Sequence, residues 1–184
     1  QLFSNIHYLN LVLKARQLGF TTLIQLFMLD CCMFFGDTHA GTIAHTRDDA
    51  EAFFRDKVKF PYDNLPPVLK DANPAIQDSA RTLAFKNGSL MRVGTSLRSG
   101  TNQYLHISEY GKICAKFPEK ATEIRTGALN TVHPGQMVFI ESTAEGSEGD
   151  FFEKCEDAQA QERKGQKPGS LDYKFFFFPW WRHP

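Results

Sequence analysis

The chain has 184 residues, 42% of them hydrophobic and 23% charged, and its 21 basic and 21 acidic residues give a formal net charge of zero. This size and composition predict one globular domain with an ordinary core. A net charge of zero provides no overall attraction to nucleic acid, so contact with DNA would need a local patch or other parts of the molecule. The four cysteines form no CxxC pair and share no metal-ligand spacing with histidine, which predicts reduced, packed thiols.

Charged residues interrupt the apolar N-terminal stretch. Lys14 and Arg16 break the run that a signal peptide requires, and with Asp30 they exclude a membrane span over residues 9–35. The chain begins at Gln1 without methionine and ends in the aromatic run FFFFPWWRHP. Because such a run is an unusual place for a complete protein to stop, we expect a fragment or an excised domain.

Hydrophobic periodicity and turn residues predict alternating strands and helices. In chain order these are a strand at residues 10–13, a helix at 21–35, a strand at 40–45, a helix that begins after Thr46, a hairpin of strands at 82–85 and 90–93, a strand at 104–107, a helix at 119–126, a strand at 136–140, a helix after residue 149 and a strand at 174–178.

Turn and cap residues support this order. Thr46 is suited to cap the second helix, and Asn87 with Gly88 is a typical hairpin turn. The polar run QERKGQKPGS, residues 161–170, predicts a solvated loop. Strands that alternate with helices predict an α/β fold, with a mainly parallel central sheet covered by helices on both faces.

Residues 11–22, LVLKARQLGFTT, are the most informative stretch of the chain. A buried strand, a glycine-containing loop and a helix N-terminus together form an arrangement that binds polyphosphate. Lys14 and Arg16 add positive charge, and Thr21 and Thr22 place hydroxyls where a magnesium ion could be ligated. The loop departs from the usual phosphate-loop pattern because Phe20 stands where that pattern has lysine.

Two later strands end in polar residues that would lie near this loop, since the carboxyl ends of parallel strands share one edge of a sheet. Glu109 follows the strand at residues 104–107 and could polarise a water for attack on a γ-phosphate; the alternative is a solvated surface acid. Ser142 and Thr143 follow the strand at residues 136–140 and could sense the γ-phosphate; the alternative is a turn or a helix cap.

The six histidines share no metal-ligand spacing, and we expect structural roles for them. On a regular strand His106 would face away from Glu109.

Taken in order, KARQLGFTT, LHISEYGK and VFIESTAEG resemble the ATPase domain of the large terminase subunit of tailed double-stranded DNA bacteriophages. AHTRDDAEAFF and the closing FFFFPWWRHP are similar to that family as well. The resemblance covers nearly the whole chain and implies a RecA-like (ASCE) P-loop NTPase fold. Residues 1–184 would form a single ATPase domain, truncated at both ends and without the family's C-terminal nuclease domain.

The resemblance also implies a nucleotide-binding loop with its lysine moved to the start. Lys14 would reach the β- and γ-phosphates, and Thr21 would ligate Mg²⁺. Ser108 stands where the family usually has a magnesium-associated aspartate, so it would hold the metal through water. The residues of the loop are Lys14, Ala15, Arg16, Gln17, Leu18, Gly19, Phe20, Thr21 and Thr22.

Further roles follow from the same resemblance. Glu109 matches the catalytic glutamate, and Arg16 matches an arginine usual in the loop. Arg98 would be an arginine finger that acts on a neighbouring subunit; the alternative is a solvated loop arginine. The coupling motif that links hydrolysis to movement would comprise Ser142, Thr143 and Ala144.

The implied function is ATP hydrolysis, with ATP and Mg²⁺ bound, that drives genome translocation into a procapsid. The implied partners are double-stranded DNA, the portal protein of the procapsid, the small terminase subunit and further copies of the chain in a ring, in the cytoplasm of a host bacterium and without a membrane. The isolated domain is expected to be monomeric and to lack nuclease activity. Two alternatives are a degenerate P-loop domain that binds nucleotide or partners without hydrolysis, and another RecA-like motor such as a helicase, which would normally show an Asp-Glu pair where Ser108 and Glu109 stand.

Overall fold

A computed structural model describes residues 2–97, 100–132 and 135–182. Its strands are β1 (Leu9–Lys14), β2 (His39–Ile43), β3 (Ala75–Asp78), β4 (Thr82–Phe85), β5 (Leu90–Gly94), β6 (Tyr104–Ser108), β7 (Met137–Ser142) and β8 (Tyr173–Phe178). Its α-helices are α1 (Phe20–Phe34), α2 (Arg47–Phe54), α3 (Phe60–Asp63), α4 (Pro67–Ala72), α5 (Tyr110–Lys116), α6 (Pro118–Thr126) and α7 (Asp150–Arg163). A π-helical stretch, Arg55–Lys59, joins α2 to α3.

All eight strands form one sheet in the order β3-β4-β5-β2-β6-β7-β1-β8. Strands β5, β2, β6, β7, β1 and β8 pair in parallel, whereas β3 and β4 extend one edge in antiparallel fashion. The mainly parallel sheet predicted from the sequence is therefore confirmed. Strand β7 lies between β1 and β6, so the carboxyl ends of the strands that precede the three candidate motifs are neighbours.

Helices cover both faces of this sheet, as predicted. Leu11 and Val12, adjacent on β1, are fully buried in different core clusters, because successive side chains of a strand point to opposite faces. Val12 shares its cluster with Ile24 of α1, and Leu11 shares the other with Ile113 of α5 and with residues of α6 and α7. Burial on both faces explains why the central strands are almost continuously apolar.

Local signals in the sequence located several boundaries correctly. Thr46 caps α2, since its hydroxyl accepts a hydrogen bond from the Asp49 amide at 3.1 Å. The hairpin of β4 and β5 is antiparallel, and Gly88 in its turn has a φ of +83°.

Cys31, Cys32 and Cys155 are buried as free thiols, and Cys114 is half-buried. In the described part of the chain, no helix is both long and apolar enough to cross a membrane.

Three elements differ from the sequence-based expectation. Helix α5 was not predicted, and it begins directly after Glu109. Strand β3 was also not predicted; its exposed residues lack a buried face that would mark a strand. The predicted loop at residues 161–170 begins too early, because α7 continues to Arg163.

Candidate functional site

The loop between β1 and α1 has the backbone of an anion-binding turn. Gln17 and Gly19 adopt left-handed conformations, with φ of +61° and +76°. Successive turns of this kind direct backbone N–H groups to one side, which suits a phosphate. The 15-residue helix α1 begins immediately after Gly19 and adds the positive end of its dipole. The loop is tied to the sheet by a hydrogen bond from the Ala15 amide to the Phe178 carbonyl at 2.9 Å.

Lys14, the last residue of β1, is buried between two carboxylates. Its Nζ lies 3.1 Å from Oε1 of Glu109 and 3.3 Å from Oε2 of Glu141. Burial opposes the charged form of the amine, but attraction to Glu141 and Glu109 outweighs it and raises the Lys14 pKa above its ordinary value. Lys14 is therefore a fixed positive charge at the floor of the loop.

Glu109 occupies a sharp turn between β6 and α5. Its φ of +53° is left-handed, a conformation that costs free energy in residues other than glycine and that recurs at functional sites. Its side chain is 32% exposed, and its Oε2 accepts a hydrogen bond from the Thr143 hydroxyl at 3.3 Å. One carboxylate oxygen thus contacts Thr143, while the other contacts Lys14.

A close approach of the start of α5 to the end of β7 supports this turn. A Cβ added at Gly111 would lie 2.8 Å from Oγ of Ser142 and 3.2 Å from the carbonyl of Thr143. Ser142 is fully buried, and its hydroxyl has no hydrogen-bond partner among the described residues. The turn that carries Glu109 and the segment that carries Thr143 therefore pack directly against one another.

Glu141 is the central residue that sequence reasoning missed. It lies in β7, one residue before Ser142, and it is fully buried. Its Oε1 accepts hydrogen bonds from the hydroxyls of Thr21 at 2.5 Å and Ser108 at 3.1 Å. Burial by itself would raise the Glu141 pKa; the contact with His106, the charge of Lys14 and the hydrogen bond from Thr21 outweigh it and hold the pKa at about 2. Glu141 is therefore ionised at neutral pH.

Two buried polar residues hold Glu141 in position: His106 contacts its carboxylate, and Gln25 contacts His106. Nε2 of His106 lies 3.4 Å from Oε1 of Glu141. The Gln25 side-chain amide, on α1, donates to Nδ1 of His106 at 2.8 Å and to the Thr42 hydroxyl at 3.0 Å. Because Nδ1 accepts this hydrogen bond, Nε2 carries the hydrogen that faces the carboxylate. His106 thus lies against the carboxylate of the neighbouring strand.

Around these residues is an open cleft of about 510 Å³, lined on its basic side by Lys14, Arg16, Lys112 and Lys116. Arg16 is exposed within it, as a residue that meets a ligand would be. Lys112 and Lys116 were not predicted as site residues, although their spacing on one face of α5, directly after Glu109, is visible in the sequence. The cleft concentrates positive charge beside the loop.

Several other residues that were predicted for the site do not line the cleft. Phe20 does not face the cleft: its ring packs against that of Phe178 on β8, with centroids 4.2 Å apart. Leu18 and Thr22 are half-buried and do not line the cleft, and Ala144 is exposed. Arg98 lies outside the described residues.

The donors present fit a magnesium ion that is bound together with a nucleotide. Within residues 2–97, 100–132 and 135–182, no three His, Cys, Asp or Glu side chains cluster as a protein-only metal site requires. Mg²⁺ usually keeps several waters and takes few protein ligands beside phosphate oxygens. The Thr21 hydroxyl, next to a buried carboxylate, is the kind of donor that such an ion uses.

No protein-family model matches the sequence, and no curated protein matches it. Solved structures do match. The large terminase ATPase domain of Thermus phage P74-26 superposes with a TM-score of 0.61 and 15% identity, over 95% of this chain and 76% of that one. The HK97 bacteriophage large terminase gives a TM-score of 0.62 and 19% identity, over 85% of this chain and 33% of that one.

A third match is the large terminase of another thermophilic bacteriophage, whose structure was solved in complex with ATP-gamma-S. It gives a TM-score of 0.56 and 13% identity, over 94% of this chain and 39% of that one. This chain thus spans 33% and 39% of the length of these last two terminases. It has the RecA-like fold of the ATPase domain of phage large terminases.

Proposed function

We propose that the chain is the ATP-hydrolysing motor domain of a phage DNA-packaging terminase. The observation that carries the proposal is the convergence of Lys14, Glu109 and Thr143 on one cleft beside a helix N-terminus. These residues are far apart in the sequence, and the motifs that carry them follow one another along the chain in the order that the resemblance implies. The shared fold with terminase ATPase domains supports the same conclusion.

In the proposed reaction, Lys14 and the backbone of the loop bind the β- and γ-phosphates. A nucleotide phosphate would compete with Glu109 for the Lys14 ammonium, because both carry negative charge. Glu109, released from that ion pair, would accept a proton from the water that attacks the γ-phosphate in line. The Thr21 hydroxyl would hold Mg²⁺, which when bound would supply positive charge at the reacting phosphate.

The contact between Thr143 and Glu109 offers a route from hydrolysis to movement. A change in the position of Glu109 on nucleotide binding would be felt by the segment of residues 142–144, since the Thr143 hydroxyl is hydrogen-bonded to Glu109. This supports the coupling role proposed for Ser142, Thr143 and Ala144. Such a segment needs two arrangements that the γ-phosphate selects between.

Assembly with DNA, the portal protein and procapsid, the small terminase subunit and other copies of the chain is part of the same proposal. Because the net charge is zero, one copy would bind DNA weakly, and a ring would add the contributions of several copies. Arg98 is proposed as the residue that completes the site of a neighbouring copy. In rings that mix Arg98→Ala and wild-type subunits, the fractional loss of ATP turnover should then exceed the fraction of variant subunits.

The alternative is a domain that binds nucleotide without hydrolysing it, and Ser108 favours that alternative because the usual carboxylate is missing from β6. Glu109→Gln separates the two functions. We expect the variant to bind nucleotide at least as tightly as wild type, because Glu109 no longer competes for Lys14, and to lose about 10²- to 10⁴-fold in ATP turnover. Glu145→Gln, which removes a carboxylate at the rim of the same cleft, is the matched control and should keep its turnover.

Turnover should be measured on a longer form of the chain with DNA and procapsid present, since ring assembly completes the site. Equal turnover in Glu109→Gln and wild type would remove Glu109 from the reaction. Nucleotide binding with no turnover in any form would establish the non-hydrolysing alternative.

A further inference from the structure

We propose that Glu141, on β7, supplies the magnesium-side carboxylate of this site in place of the residue that Ser108 replaces on β6. The inference rests on the proposed function, because it concerns the Mg²⁺ of a bound nucleotide. It adds a positioning residue from a neighbouring strand.

The first argument is the position of Glu141 in the sheet. Strand pairing sets Glu141 beside Ser108 on β6 and beside Val12 on β1. A carboxylate on β7 at this register therefore reaches the space that an acidic residue at position 108 would fill. The Ser108 hydroxyl occupies that space only partly, and it donates to Glu141 Oε1 at 3.1 Å.

The second argument is the hydrogen bond from Thr21. A hydroxyl has one hydrogen and two acceptor lone pairs. With its hydrogen directed to Glu141 Oε1 at 2.5 Å, the Thr21 oxygen keeps its lone pairs for a cation. Glu141 thus orients the hydroxyl that would bind Mg²⁺, as outer partners commonly orient metal ligands.

The third argument is that one oxygen of Glu141 is left without a hydrogen bond. Oε2 is buried and has no hydrogen-bond partner among the described residues, and Lys14 Nζ lies 3.3 Å from it. A carboxylate oxygen has two lone pairs, so Oε2 keeps capacity to accept a hydrogen bond beside its ion pair with Lys14. Waters of a hydrated Mg²⁺ are donors of this kind.

The different surroundings of Glu109 and Glu141 suit the two carboxylates to different roles. Glu109 is partly exposed and borders the cleft, where an attacking water would stand. Glu141 is fully buried, contacts Thr21 and is backed by His106, so it is positioned for the metal and shielded from the water. Two carboxylates kept in different environments commonly serve different roles.

The test is the magnesium dependence of nucleotide affinity, measured by titrating ADP and ATP-γ-S into the folded protein with Mg²⁺ and with EDTA. Wild type should bind more tightly with Mg²⁺. Glu141→Gln should lose about 10- to 100-fold of affinity with Mg²⁺ and keep its affinity in EDTA. Glu109→Gln is the matched control and should keep the full magnesium effect.

Two further variants distinguish loss of the metal-side carboxylate from misfolding of the protein. Thr21→Ala should lose the same magnesium effect, and combining it with Glu141→Gln should add little, because the two residues act as a unit. Ser108→Asp in the Glu141→Gln background restores a carboxylate on β6 and should recover part of the effect. Circular dichroism establishes that each variant is folded.

The outcomes separate this inference from the proposed function. If folded Glu141→Gln keeps the magnesium effect, Glu141 is not the metal-side carboxylate, although the nucleotide site stands. If it loses affinity equally with Mg²⁺ and with EDTA, Glu141 acts only by holding Lys14, and the inference is overturned. Failure of wild type to bind nucleotide at all would reject both proposals.

Discussion

The rings of Phe20 and Phe178 lie with their centroids 4.2 Å apart and pin the start of α1 to β8. In the proposed phosphate loop, Phe20 stands where the usual pattern has lysine, and its packing on Phe178 explains how the loop accommodates an aromatic side chain there. The side chain at this position packs on the sheet edge, and the positive charge comes from Lys14 on the strand. The same contact fixes the N-terminus of α1, which must be rigid to hold a phosphate.

Replacing Phe20 should therefore affect stability more than ligand binding. We expect Phe20→Ala to lower the free energy of unfolding by about 1–3 kcal/mol, from the lost aromatic pair and the lost packing of a half-buried ring. Urea unfolding measures this change. Leu23→Ala, at an exposed site on the same helix, is the control and should change stability little. Nucleotide affinity that falls as far in Phe20→Ala as in Lys14→Ala would contradict the assignment of the charge to Lys14.

Removing Lys14 should damage both folding and binding. Lys14→Ala leaves the Glu141 carboxylate buried without its cation, which typically costs about 3–5 kcal/mol, and we expect it to abolish nucleotide binding. The double variant Lys14→Met with Glu141→Gln removes both buried charges and should regain most of the stability without regaining affinity. Urea unfolding measures the change in stability, and nucleotide titration measures the change in affinity. An exposed lysine variant, Lys167→Ala, is the control.

How far the sequence predicts this site depends on how local each feature is. The strand before Lys14, the Thr46 cap and the Asn87 turn depend on neighbouring residues, and their patterns are readable. Glu141 was missed because β7 was predicted to end at residue 140, whereas it continues to Ser142. An acid at the end of a strand reads as solvated, although here it is fully buried.

The partners of Glu141 explain why no local pattern reveals it. Thr21, Ser108 and His106 come from α1 and β6, and their meeting depends on which strands are neighbours in the sheet. Strand order is a tertiary property that periodicity does not contain. Helix α5 was missed for a different reason: it begins without a linker, directly after a left-handed residue, and it has only seven residues.

The contact between the Glu109 turn and the segment of residues 142–144 can be tested at Gly111. A methyl group in Gly111→Ala would lie 2.8 Å from Ser142 Oγ and 3.2 Å from the Thr143 carbonyl, so the Ser142 side chain or the backbone at the start of α5 must shift. We expect a loss of about 1–3 kcal/mol in stability and a lower ATP turnover, since the shift displaces Glu109. Gly36→Ala is a matched control, because its nearest contact would be an ordinary 3.4 Å from the Asn87 carbonyl. Wild-type stability and turnover in Gly111→Ala would show that the two segments do not depend on this approach.

The depressed pKa of Glu141 predicts a specific loss of stability in acid. Its pKa falls from the ordinary 4.5 to about 2 in the folded protein, because the charges and hydrogen bonds around it favour the carboxylate. The folded state therefore binds fewer protons than the unfolded state between these values, so this contribution is fully present above pH 4.5 and is lost as the pH falls toward 2. Glu141→Gln cannot titrate, and its free energy of unfolding should vary less steeply with pH across that window. Urea unfolding from about pH 2 to about pH 7 compares the two slopes, with the exposed Glu119→Gln as control. Equal slopes in Glu141→Gln and wild type would mean that Glu141 is not held ionised by its buried partners.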